Sequence, residues 1–116
     1  MTTSLRIVQN AGRIINVIAF MNSIGKVYRQ KGDFEQALAH LQMSYQLRDK
    51  IENNLPVSKT LYYLISVCLD ENNISLAKNY LEELQCMAKI ENNQLIAQRA
   101  IISEALLLKL ETRSKY

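Results

Sequence analysis

Apolar residues along this chain return at steps of three and four, and the places where that rhythm breaks divide it into segments. Ile14, Ile15, Val17, Ile18, Met21, Ile24 and Tyr28 follow the spacing that lines one side of an α-helix. Lys31-Gly32-Asp33 interrupts the run. Gly32 can adopt the left-handed backbone that closes a helix, and Asp33 can accept the orphan amides of the next. Gln36, three residues after Asp33, would complete a capping box. A second run holds Phe34, Ala37, Leu38, Leu41, Tyr45 and Leu47 and frays near Asn53-Asn54. Pro56 sits just inside a fresh start, where its missing amide costs least. Leu61, Leu64, Ile65, Cys68 and Leu69 make the third run, and Glu71-Asn72-Asn73 ends it with Asn73 placed as a cap. Ile74, Ala77, Tyr80, Leu81, Leu84 and Met87 make the fourth. After Asn92-Asn93 a last run extends from Leu95 to about Leu110. The pattern predicts helices over 14–31, 34–52, 57–71, 74–90 and 94–112, a short helical remnant near 4–9, and no strands.

The segments repeat. Gly32-Asp33-Phe34-Glu35-Gln36-Ala37-Leu38 aligns with Asn72-Asn73-Ile74-Ser75-Leu76-Ala77-Lys78, with Ala37 and Ala77 separated by 40 residues. The same shift sets Leu41 on Leu81, Ile24 on Leu64, Tyr28 on Cys68 and Met21 on Leu61. A second echo, IENN at Ile51 and again at Ile90, is spaced by 39. A fixed period of this size is the mark of stacked helical pairs, each burying its apolar face against the next.

On these residues the chain resembles the tetratricopeptide repeat family, whose pattern is W-x2-L-G-x2-Y followed by A-x3-F. The first unit carries Met21-x2-Ile24-Gly25-x2-Tyr28 and then Ala37-x3-Leu41, agreeing in kind everywhere but the opening Trp. Small residues at Gly25 and Ala37 would let two helices approach closely while Tyr28 and Leu41 fill the space beside them. The second unit departs, with Ile65 replacing the small residue and Cys68 replacing Tyr, and Asp49 stands where the first unit's closing Pro belongs. The longer period is similar to that of a subgroup found in prokaryotic signalling regulators and polarity adaptors. The resemblance implies an all-α, right-handed solenoid of antiparallel helix pairs, about two and a half repeats long. Its divisions are the end of a preceding repeat at 1–12, a first full repeat at 13–54, a second at 55–93 and a terminal helix at 94–116. The chain thus reads as a piece of a longer array or as a protein shortened to this length.

In this family the first helix of each unit lines the concave surface where ligands lie. Carried over by position, the resemblance implies a peptide-binding face of Asn22, Lys26, Arg29, Lys59, Tyr62, Tyr63 and Ser66. Asn22 suits bidentate bonds to a peptide backbone, the cations suit acidic side chains, and the tyrosines offer flat apolar contact with a polar tip. The alternative is that these are only the solvated outer side of stacked helices. The family's carboxylate clamp is not expected, because Asn22 and Lys26 stand in reversed order and Tyr63 replaces the second Asn.

Composition narrows the rest. The 116 residues are 48% hydrophobic and 22% charged, with 14 basic and 11 acidic side chains interspersed for a net charge of +3. That is the profile of one helix-rich globular domain. No basic run of five or more points to a nucleic-acid arm, and Lys26, Arg29 and Lys59 alone would bind phosphate weakly. Nucleic acid is therefore disfavoured as a partner, and so is a membrane, since no apolar stretch reaches 18 residues. Cys68 and Cys86 read as ordinary buried thiols of a reducing cytoplasm. His40, the single histidine, has no nucleophile or acid at a catalytic spacing. Glu82-Glu83 and Asp70-Glu71 are neighbours that point to different sides of a helix. No phosphate loop, metal cluster or nucleophile elbow is present in the sequence. The expectation is a binding module without cofactor or metal, not an enzyme.

Two further roles remain open: self-association, and service as the sensor part of a larger signalling or transcription regulator. The last helix, LIAQRAIISEALLLKL, is apolar on most sides, more than one packed stripe requires. Leu106, Leu107, Leu108 and Leu110 are the residues expected to join copies of the chain, unless Leu5, Ile7 and Val8 fold over them.

Overall fold

The structure, a computed structural model, describes the backbone of residues 2–115 and the side chains of residues 12–113. It is all-helical, with no strand among the described residues. The order is α1 (Thr2–Gln30), α2 (Phe34–Gln46), a single 3-10 turn at Arg48–Lys50, α3 (Asn54–Asp70), α4 (Ile74–Ile90) and α5 (Gln94–Lys115).

Both expected hairpins form, and by the same device. The Gly32 amide donates to the Arg29 carbonyl at 3.0 Å and the Asp33 amide to the Tyr28 carbonyl at 2.9 Å. This paired closure needs a left-handed residue at its centre, and Gly32 has φ +82°. Forty residues later the Asn72 amide donates to Leu69 at 3.0 Å and the Asn73 amide to Cys68 at 2.7 Å. There Asn72 is left-handed at φ +60°, as asparagine tolerates. The next helices are capped by Asp33, accepting from the Gln36 amide at 3.2 Å, and by Asn73, accepting from Leu76 at 3.3 Å. The reciprocal arm of the capping box is not made, because the Asp33 amide is already taken by Tyr28.

Three boundaries differ from expectation. The backbone of α1 runs unbroken from Thr2, so residues 4–9 are its opening turns and not a separate remnant. The side chains of Leu5, Ile7 and Val8 lie outside the described residues. α2 stops at Gln46, where the Arg48 guanidinium donates back to the Tyr45 carbonyl at 3.0 Å. The chain then extends at Ile51 (φ −132°, ψ 150°), which drops that side chain into the core. α3 starts at Asn54, because Asn53 is its cap and accepts from the Leu55 amide at 3.0 Å.

The odd-numbered helices neighbour one another. α1 packs on α3 and α3 on α5, while α2 fits between α1 and α3, and α4 between α3 and α5. Side-chain partners advance together along α1 and α3, where Asn22 meets Thr60 and Arg29 meets Asp70. They do so along α3 and α5 as well, where Ser58 meets Arg99 and Ser66, Leu69 and Asp70 lie beside Leu106, Lys109 and Leu110. These three helices therefore run parallel. Leu61, Leu64, Ile65 and Val67 make α3 the central, most enclosed helix. Gly25 lets α1 press on α2: a Cβ built there would stand 2.6 Å from Leu41 Cγ.

Two polar groups of bonds tie the layers. Asn22, Ser44 and Thr60 are all buried. Asn22 Oδ1 accepts from Ser44 at 2.9 Å and from Thr60 at 2.8 Å, joining α1, α2 and α3. Across α2 and α4 the Tyr45 hydroxyl donates to Glu83 at 2.5 Å. The Arg48 guanidinium covers the Tyr45 ring at 3.8 Å and reaches Glu83 at 3.5 Å. Burial first, and then Glu83, pushes the Tyr45 phenol up to about 12.

Candidate functional site

The parallel run of α1, α3 and α5 leaves an open cleft of about 240 Å³ near their C-terminal ends. Its apolar floor is Leu69 of α3 with Leu106 and Leu110 of α5, and its rim carries Arg29, Lys109 and Arg113. The 40-residue period reappears here in space. Ser66, Leu69 and Asp70 face the cleft from α3, and Leu106, Lys109 and Leu110, each 40 residues on, face it from α5.

Arg29 reaches Asp70 with Nε to Oδ2 at 2.6 Å and a longer second contact at 3.4 Å. Both side chains remain partly exposed, so this fork contributes orientation more than stability. It ties the guanidinium to α3 and neutralises the acid that lines the cleft. Lys109 and Arg113 make no ion pair among the described residues. Four residues apart on one helix, they address the same space.

Of the residues expected to bind a peptide, Arg29 and Ser66 meet in this cleft. Ser66 is buried at its wall, and its hydroxyl donates to the Tyr62 carbonyl at 2.9 Å. Lys26 is exposed one turn before Arg29 but does not line the cleft. On α3, Lys59 sits about two turns before Ser66, and Tyr62 and Tyr63 about one turn before it. The tyrosine rings there meet edge to face at 5.9 Å, and Lys59 lies 5.8 Å from the Tyr63 centroid. Asn22 must be corrected: it is 2% exposed and engaged inside the structure, so it presents nothing to a ligand. A helical period tells which residues share a side, not whether that side meets solvent or another helix.

The terminal helix needs a similar correction. Leu107 is 5% exposed and belongs to the core with Ile96 and Ala100. Leu106 and Leu110 face the cleft, and Leu108 is left at 53% exposed on the far side. Ile101 and Ile102 are exposed beside it. α1 likewise leaves Val17, Phe20 and Val27 uncovered.

The two sides of α5 carry opposite charge. A second depression, between α4 and α5, is edged by Glu82, Glu104 and Glu111, with Lys78 paired to Glu111 at 2.8 Å. The acidic side chains of α5 thus turn away from the cleft, while Lys109 and Arg113 turn toward it. Lys109 and Arg113 were missed in the sequence, where the leucines between and around them drew the reading toward association; the shift of 40 from Leu69 would have found Lys109.

His40 stacks on Tyr28 at 5.3 Å, and its Nδ1 donates to the Gln36 carbonyl at 2.8 Å. Cys68 is buried, and burial raises its thiol to about 11, whereas Cys86 is exposed, against expectation; both are free. No group of three or more metal-ligating side chains occurs among the described residues, and no helix is long and apolar enough to cross a membrane. Comparison with family models, curated proteins and solved structures finds no match.

Proposed function

We propose that this chain is a protein-interaction module of the tetratricopeptide kind, which holds a peptide or helix of a partner in the cleft of α1, α3 and α5. The observation that carries the reading is the cleft itself. Three parallel helices supply an apolar floor and a charged rim, the mixture by which grooves take a segment of another chain. The repeated hairpin closures at Gly32 and Asn72 and the close approach at Gly25 favour the stacked-pair architecture on which that groove depends. The reading assigns no cofactor and no catalytic step, and the two free thiols suit a reducing cytoplasm.

Selection from a random peptide library, followed by amide-shift mapping of the enriched sequences, tests this. Shifts should gather at Arg29, Ser66, Leu106 and Lys109. Binders that perturb α2 and α4 instead, or a library with no binder, would remove the groove from its role.

A second reading, self-association, is favoured by the apolar side chains left open at both ends. Phe20 on α1 is 63% exposed and Ile101 on α5 is 65% exposed, and such patches commonly mark contacts between chains. Light scattering at micromolar concentration tests it with Ile101→Glu and Leu108→Glu as the disrupting variant. Leu107 is unsuitable, because a charge there would unfold the core. A monomeric parent chain would end this reading.

A further inference from the structure

Resting on the groove reading above, we infer that the segment taken up in the cleft is acidic: a peptide that sets one large apolar side chain on Leu69, Leu106 and Leu110 and lays carboxylates against Lys109 and Arg113.

Charge in this chain is sorted by layer. α1, α3 and α5 together carry nine basic and three acidic side chains, and the rest of the chain carries five basic and eight acidic. Of those three acids, Glu104 and Glu111 edge the depression against α4. Asp70 alone faces the cleft, where Arg29 covers it. What the cleft offers an incoming chain is therefore two cations without ion-pair partners among the described residues, above three leucines. Lys26, exposed one turn before Arg29, extends the positive edge along α1.

The composition of the floor favours a peptide over a nucleic acid. A phosphate backbone wants a row of cations and flat faces for its bases. Here the floor is aliphatic and holds the Asp70 carboxylate. The tyrosines lie about one turn before Ser66 and do not line the cleft, and they are half-buried and packed on each other. Carboxylates interleaved with an apolar anchor fit both parts of the cleft. Because the cations stand on an open rim, they should act chiefly on encounter and selection, with strong dependence on salt.

Three peptide sub-libraries with the same scattered Leu, Ile and Phe anchors, filled otherwise with Asp/Glu, Asn/Gln or Lys/Arg, should be selected in competition on the full chain. The acidic set should win, and its members should shift Ser66, Leu106 and Lys109. Lys109→Gln with Arg113→Gln, both at exposed rim positions, should weaken them about five- to tenfold, as the loss of two exposed charge pairs. Exchange of the peptide's acids for amides should weaken binding similarly. If neutral or basic peptides win yet map to the cleft, the charge assignment falls while the groove reading stands. If no set is enriched, both fall. If a single-stranded oligonucleotide displaces the acidic peptides at lower concentration, the face belongs to nucleic acid and the inference is overturned.

Discussion

The same substitution at two places on α1 should have opposite signs. Gly12 and Gly25 both lie within this helix, where exchange of Gly for Ala ordinarily stabilises by about 0.8–1 kcal/mol through backbone entropy. At Gly12 an added Cβ meets no atom within 4 Å, so the gain should be realised, at about 0.5–1 kcal/mol. At Gly25 the methyl would stand 2.6 Å from Leu41 Cγ, 2.8 Å from Cδ2 and 3.2 Å from Cδ1. Leu41 is wholly buried, and the short contact is to its branch point, which no rotation of the terminal methyls can relieve. Overpacking of this kind costs about 1–3 kcal/mol. After the propensity gain, Gly25→Ala should destabilise by about 1 kcal/mol, and by at most about 2 kcal/mol. Urea unfolding followed by helical circular dichroism resolves changes of this size. Leu41→Ala sharpens the test: alone it should cost about 2–5 kcal/mol. In its presence Gly25→Ala should turn stabilising, since the clash is gone and the cavity is partly filled. A sign reversal across that cycle isolates the contact. If Gly25→Ala stabilises the parent chain as much as Gly12→Ala does, the close approach of α1 and α2 is not what glycine serves there.

Further outcomes follow from the other groups. Asn22→Leu leaves the Ser44 and Thr60 hydroxyls without their shared acceptor and should cost about 1–3 kcal/mol of unfolding free energy without a direct effect on peptide contacts. Tyr45 has a phenol raised above its ordinary value, so its contribution is full below pH 10 and is lost as pH climbs toward about 12; alkaline unfolding curves of Tyr45→Phe should lack that step. A disulfide reagent should label Cys86 quickly and Cys68 only on unfolding, as tryptic mapping would report; equal rates would contradict the burial of Cys68.

Helix ends were legible where the backbone itself demanded a residue type. Gly32 and Asn72 supply left-handed positions, and Asp33 and Asn73 supply side-chain acceptors, so both hairpins stood in the sequence. The end of α2 was not legible, since nothing between Leu47 and Glu52 is a helix breaker. The turn there is set by the core's claim on Ile51 and by Arg48 folding back on Tyr45. Asn53 was read as the fraying end of one helix when it caps the next, an ambiguity of polar residues between two helices that only packing resolves. The cleft was half legible. Period and resemblance pointed to Arg29 and Ser66, but a polar residue on the expected side, Asn22, proved to be matched with Ser44 and Thr60, 22 and 38 residues away. Such distant polar matching leaves no local trace. On α5 the density of leucines concealed which of them pack inward, because a run apolar on several sides has no single preferred face.

The Asn22–Ser44–Thr60 cluster has a consequence for how the chain avoids near-misses. Leucine and isoleucine surfaces are forgiving: slide α1 by one turn along α3, about 5.4 Å, and aliphatic groups still find aliphatic groups. The amide oxygen of Asn22 is not forgiving. In the slipped arrangement it would sit among hydrocarbon without either hydroxyl donor, a penalty of about 1–3 kcal/mol borne by the wrong alignment alone. The trio thus works as a vernier, adding little to the correct state while raising the energy of its closest competitor. The distance over which Arg29 finds Asp70, seven residues further along α1, inherits its accuracy from that alignment.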